Sequence, residues 1–142
     1  MIGIIELIEV KKMARLKATY EGGAKFTVAC RNHEITIDQP EDNGGENAGM
    51  TPPEIMAGSM ASCIGFYVAR YCQQAKIDTT DLFVSCDWQV GGEPRHMESF
   101  DIQINLPALP ENRQKAVERV AKGCLIHATL GQNPEINIAL NE

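Results

Sequence analysis

The sequence has no run of about 20 consecutive apolar residues, the length a helix needs to cross a bilayer. The charge-free interval 55–69 is shorter than that, so no membrane partner is expected. Basic charge is scarce too: 13 Lys and Arg, scattered along the chain, face 19 Asp and Glu, for a net charge of -6. This leaves no electrostatic footprint for nucleic acid. The cysteines (Cys30, Cys63, Cys72, Cys86 and Cys124) are odd in number, include no CxxC pair and are accompanied by only three His. That pattern argues against a zinc cage and against a secreted disulfide framework. No metal or other cofactor is expected, and a reducing cytoplasm fits best. The first residues, Met1 to Val10, carry Glu6 and Glu9 but no basic stretch and no small-residue cleavage site, so a signal peptide is not expected. Residues 1–13 read as an N-terminal extension, with Met13 an alternative start, and 1–142 as a single domain by length.

The chain is organised around the stretch from Thr51-Pro-Pro-Glu54 to Arg70, where Ala, Gly, Met, Ser and Ile surround Cys63. Pro is tolerated in a first helical turn and an acid suits the positive end of the dipole, so a helix is expected from about Pro53 to Ala75. A helix apolar all round must be buried all round, and its small residues let other backbone come close. One small sheet cannot cover it, which asks for a wrapping sheet or a second subunit.

Alternation at Leu16/Ala18/Tyr20 and Phe26/Val28/Cys30, separated by Glu21-Gly22-Gly23-Ala24, predicts a hairpin, and Ile35/Ile37 add a third strand. Residues 39–50, with Pro40, three glycines and three acids, have no apolar period and read as a mobile loop. After the helix, Leu82 to Val90 and Phe100 to Leu106 alternate around a turn at Gly91-Gly92-Glu93-Pro94, giving a second hairpin. Val117, Val120/Ala121 and Cys124/Leu125 predict an amphipathic helix from Pro110 to about Ile126, and Ile136, Ile138 and Leu140 a last strand. The order β-β-β-α-β-β-α-β is an α+β pattern.

Cys63 and Cys124 lie on apolar faces of the two helices and are the candidate nucleophiles, although a buried free Cys is also an ordinary core residue. Cys30, Cys86 and Cys72 are assigned to the core. Cys72 is about 180° round the helix from Cys63 and cannot pair with it there. Trp88 and Phe100 are assigned to the core as well. Glu54 either stabilises the helix start or acts in the site. Nine positions from Cys63, it is on the other side of a straight helix, so contact requires an irregular start or a partner subunit. His127 either caps carbonyls, helps a proton move, or forms a Cys/His nucleophile with Cys124.

Pro-Glu54 nine residues before Cys63 in an Ala/Gly/Met-rich helix, followed by Cys124 in Cys-Leu-Ile-His-Ala-Thr-Leu ahead of Asn-Pro-Glu-Ile-Asn-Ile, resembles the OsmC/Ohr superfamily of thiol-dependent hydroperoxide reductases. The resemblance covers nearly all of the chain after about residue 14. It implies an intertwined homodimer with long central helices wrapped by antiparallel sheets, and two sites at the subunit interface. It further implies that Cys63 attacks the peroxide, that Cys124 resolves it by disulfide formation, and that a dithiol reductant restores the pair. The expected activity is peroxidase action on organic hydroperoxides in oxidative-stress defence. In organic hydroperoxide reductases an Arg from the first hairpin, held by the Glu matching Glu54, activates the thiol. Here the tip, Glu21 to Lys25, has no Arg. Lys25, Arg31 or Arg70 stands in as candidate, although Lys lacks the forked geometry of Arg. The alternative is a hydrophobic small-molecule or acyl-chain binding module, and a third reading is a Cys124/His127 hydrolase or acyl transferase.

Overall fold

Period-two alternation builds two antiparallel sheets, and helical periodicity builds three helices, in the computed structural model, which describes residues 14–141. The expected extension at 1–13 lies outside these residues. The chain divides into two compact units, 1–51 and 52–142. The expected α+β class with antiparallel sheets is the observed one.

In the first unit, β1 (Lys17–Gly22), β2 (Lys25–Cys30) and β3 (His33–Ile37) form a sheet in that order. Tyr20 pairs with Phe26, and Val28 with both Ala18 and Ile35, which is the register the alternation requires. Gly22 and Gly23, at φ 100 and 58, make the first turn in a conformation that L side chains rarely adopt. The segment 39–50, expected to be mobile, is instead pinned. Asp38 is 1% exposed, and its carboxylate accepts the N–H groups of Gln39 at 2.8 Å and of Glu46 and Ala48 at 3.1 Å each. A 3-10 turn spans Glu41–Asn43. Gly45 and Gly49 pass so close to the carbonyls of Gln39 and Thr36 that a Cβ would clash. The glycines therefore serve close packing. Composition alone does not distinguish that use from flexibility.

In the second unit, α1 (Pro52–Ala75) buries a single stripe, Ala57, Met60, Ile64, Val68 and Cys72, at the three- and four-residue spacing of a helix face. The stripe packs with Leu106, Val117, Ala121 and Cys124, each large apolar side chain contributing about 1.5–3 kcal/mol. Other faces stay open: Gly58 and Ser62 are exposed, and Phe66 is 59% exposed. Burial all round α1 is thus not achieved within one chain. β4 (Phe83–Gly91) and β5 (His96–Asn105) pair antiparallel, with Val84, Cys86 and Trp88 opposite Ile104, Ile102 and Phe100. A register shift after Gln89 pairs Val90 with Met97 and leaves Glu98 without an opposite residue, so that the half-buried phase passes from Phe100 and Ile102 to Ser99 and Met97.

Two expectations fail in the second unit. The helix expected from Pro110 to Ile126 is a 3-10 turn, Glu111–Arg113, then α2 (Gln114–Lys122) and, beyond Gly123 and Cys124, α3 (Leu125–Leu130). Basic Arg119 and Lys122 followed by Gly123 is a helix stop. The last strand is not formed: residues 133–141 have no regular element, and Ile136, Ile138 and Leu140 are 78%, 92% and 95% exposed. Alternation supplies a strand face, but a strand also needs a neighbour to bond, and none of the described residues pairs with it there.

Candidate functional site

The long helix fixes Cys63 near its middle, and the joint between α2 and α3 presents Cys124. These two side chains, far apart in sequence, come together: Cys63 packs against the buried cluster that contains Cys124, close enough to act on its thiol. Cys124 is 0% exposed and Cys63 half-buried, so of the two it is Cys63 that remains open to a reactant. Neither is in a disulfide. Burial pushes the Cys124 thiol above its ordinary value. The His127 N–H, donated to its Sγ at 3.2 Å, works in the other direction, and the Cys63 neighbour adds to the rise. Burial thus favours the protonated form of this thiol. Cys72 is buried in the same core and raised by that burial. Cys86 is raised by burial and then by Asp87 and Asp101, and Cys30 donates to the Arg15 carbonyl at 3.5 Å.

A cavity of about 860 Å³ is lined by sequence neighbours of both cysteines, Ile64 and His127 among them, though by neither cysteine itself. Met56, Met60 and Ile64 of α1 and Phe100, Ile102 and Ile104 of β5 give it apolar walls. Polar atoms come from His96 and Glu98 on β5, Glu118 and Lys122 on α2, and His127 on α3. Met60 and Ile64 flank Cys63 on α1, and Cys63 is about 60° round the helix from Met60. Apolar walls with a few polar groups suit a small organic molecule. A second, smaller hollow of about 500 Å³ follows the small residues Gly58, Ala61, Ser62 and Gly65 against Leu82 to Val84.

Glu54 and Arg70, on the same helix as Cys63, are set apart from it, and Lys25 and Arg31 belong to the first unit. Glu54 is exposed in the first turn of α1. The helix is continuous from Pro52, so Glu54 is about 13 Å along the axis from Cys63 and on the opposite side. An irregular helix start is thereby removed as a route to contact. Lys25 is committed to Glu46 through a 2.6 Å ion pair, which raises its pKa through that bond and the accompanying charge. Arg31 is an exposed turn residue at φ 55. Arg70 is exposed on α1, about 10 Å further along the axis than Cys63. His127 acts on Cys124 through its backbone N–H, while its ring belongs to the cavity wall.

Sequence reasoning missed Lys122, His96 and Met97 as cavity residues. For Lys122 the signal was its place just before the Gly123 break. For His96 and Met97 it is the register shift in β5, which periodicity does not reveal. Among the described residues no group of three or more His, Cys, Asp or Glu is placed to hold a metal ion, and no helix is long and apolar enough to cross a membrane.

A family model described as OsmC-like protein matches residues 44–139. Among solved structures, an osmotic-stress-induced and detoxification-response protein of Psychrobacter arcticus is 25% identical, with a TM-score of 0.75 over 82% of this chain and 88% of that one. An OsmC-like protein of Mycoplasma pneumoniae is 18% identical, with a TM-score of 0.72 over 87% and 90% of the two chains. An organic hydroperoxide resistance protein of Elizabethkingia anophelis is 24% identical, with a TM-score of 0.62 over 86% and 92%. No curated protein sequence matches the chain.

Proposed function

Because the chain belongs to the OsmC-like protein family, we propose that it is a thiol-dependent peroxidase of oxidative-stress defence, reducing organic hydroperoxides through Cys63 and Cys124. The observation that carries this reading is the closeness of the two thiols within one packed core, next to residues that line an apolar cavity. The organic hydroperoxide resistance proteins among the structural relatives support it as well.

In this mechanism the Cys63 thiolate attacks the distal peroxide oxygen. The O–O bond breaks, the alkoxide takes up a proton and leaves as the alcohol, and Cys63 becomes a sulfenic acid. Cys124, already in contact, attacks that sulfur. The S–O bond breaks, hydroxide leaves and takes the Cys124 proton as water, and an S–S bond forms before further oxidation intervenes. A dithiol reductant then returns both cysteines to thiols. The protonated, fully buried state of Cys124 suits a resolving thiol, and the partial exposure of Cys63 suits the attacking one.

The protein acts as a cytoplasmic homodimer, and both of its units belong to one OsmC-like domain. The open face of α1 and the unpaired apolar alternation at Ile136, Ile138 and Leu140 support a second subunit. Glu54, turned away from its own Cys63, takes its role across that interface. The activating cation is sought among Lys25, Arg31 and Arg70 by replacing each with Met, the one that matters slowing peroxide reduction at neutral pH.

Steady-state consumption of cumene hydroperoxide with dithiothreitol or dihydrolipoamide tests the reading. Cys63→Ser abolishes consumption. Cys124→Ser permits one rapid turnover and leaves Cys63 as a sulfenic acid that dimedone labels. Label on Cys124 in a still active Cys63→Ser protein reverses the roles. Ester turnover that survives loss of Cys63 points instead to a Cys124/His127 hydrolase. No consumption and no labelling of any cysteine leaves the cavity as the site of a small-molecule binding module.

A further inference from the structure

Building on the reading of Cys63 and Cys124 as a redox pair, we propose that forming the bond between them uncaps α3 and loosens the wall that α3 gives to the cavity. Cys124 has two partners in the reduced chain. Cys63 packs against the core cluster that contains it, close enough to act on its thiol, and as N-cap of α3 Cys124 also accepts the His127 N–H at 3.2 Å. A disulfide holds its sulfurs about 2.05 Å apart, closer than any hydrogen-bonded contact, so one cysteine must move when the bond forms. Cys63 is fixed within the 24 residues of α1, with helical hydrogen bonds on both sides. Cys124 sits at a joint directly after Gly123. The sulfur that travels is therefore that of Cys124, toward α1 and away from the His127 N–H, and a sulfur bonded in a disulfide is in any case a weak acceptor.

The element that loses its cap has little else to hold it. α3 is six residues long, far below the length at which a helix sustains itself, and none of its side chains is fully buried, the half-buried Ile126 alone packing it against the core. Beyond the bonds within its own six residues, its ends are closed by Ala128 N–H to the Cys124 carbonyl at 3.0 Å, Gly131 N–H to the His127 carbonyl at 3.2 Å and Gln132 N–H to the Thr129 carbonyl at 3.2 Å. His127, Leu130 and Gly131 all line the cavity, so oxidation reshapes that side of it. The consequence is chemical. Cys124 is 0% exposed when reduced, and an α3 that opens on oxidation gives the dithiol reductant access to a sulfur it otherwise cannot reach.

Hydrogen exchange on the whole protein tests this, with diamide, a thiol-specific diazene that takes up the two thiol hydrogens and needs no peroxidase activity, as oxidant. In wild type the diamide-formed Cys63–Cys124 disulfide raises amide exchange over 127–131 about tenfold, the scale of a lost N-cap, while residues 57–72 stay protected. Cys124→Ser, whose hydroxyl keeps the cap, shows protected α3 amides before and after diamide. Cys124→Ala shows exposed ones even without it. A mapped Cys63–Cys124 disulfide with α3 still protected overturns the proposal, as does a protected α3 in Cys124→Ala or the absence of that disulfide after diamide. If diamide forms the bond and frees α3 but cumene hydroperoxide forms no disulfide, the device stands and the peroxidase reading falls.

Discussion

The two units of this chain are held by different forces. The second is organised around apolar burial, with Val68, Cys72 and Cys124 all 0% exposed. In the first, the three-stranded sheet leaves Tyr20 and Ile35 at 61% and 46% exposure, Leu16 just before it is 59% exposed, and among the described residues the buried one is a carboxylate, Asp38. Its loop is held by three N–H groups on that carboxylate and by the Lys25–Glu46 pair. A carboxylate that is both charged and fully hydrogen-bonded fixes a loop by direction, whereas an apolar stripe fixes a helix by area. The two candidate thiols, Cys63 and Cys124, sit in the unit with the apolar core, where their positions are set by packing.

The sharpest break of this contrast is in the apolar core. Ile64→Ala, at a residue 3% exposed, should cost about 2–5 kcal/mol, measured by denaturant unfolding monitored through Trp88. Within the proposed dimer, Ala61→Asp should prevent folding, and a soluble folded Ala61→Asp monomer in sedimentation would count against that assembly. Next in size is Asp38→Ala, which orphans three N–H groups and should speed amide exchange over 39–50 by about tenfold, with 57–72 unchanged. Gly49→Ala should do the same by its clash with the Thr36 carbonyl.

The units should also respond to opposite ends of the pH scale. Burial works against ionisation of Asp38, but the N–H groups of Ala48, Gln39 and Glu46 outweigh it and hold the carboxyl below its ordinary 3.8. Its contribution is present above that value and is lost as pH falls through the lower folded value. Cys72, Cys86 and Cys124 are raised above their ordinary 9.0, chiefly by burial. Their contribution is full below 9.0 and fades as pH rises through the folded values. Exchange protection should therefore fail first in 39–50 on the acid side and first in 57–72 on the alkaline side. The smallest effect belongs to Lys25→Met, which removes an exposed ion pair and should hardly move the melting temperature.

Elements with strong periodicity were legible in the sequence: β1 to β3, α1 and the β4–β5 pairing follow from alternation and from the charge-free interval. The cysteine pair was legible through resemblance, since no spacing rule brings Cys63 and Cys124 together. Three features were not legible. The pinned loop depends on a single carboxylate, Asp38, whose burial composition does not encode. The break at Gly123 turned Cys124 from a helix-interior residue into a cap. The alternation at Ile136 to Leu140 describes one face of a strand but says nothing about the chain it bonds to, and no neighbour is present among the described residues.

The central claim, that Cys63 and Cys124 form one redox centre, is tested most directly by treating the reduced protein with one equivalent of cumene hydroperoxide and mapping its peptides by mass spectrometry. The account predicts a single cross-linked pair, Cys63 with Cys124, lighter by the two thiol hydrogens, with Cys30, Cys72 and Cys86 still alkylatable after denaturation. A protein that stays fully reduced, or a disulfide that joins any other pair, would contradict it.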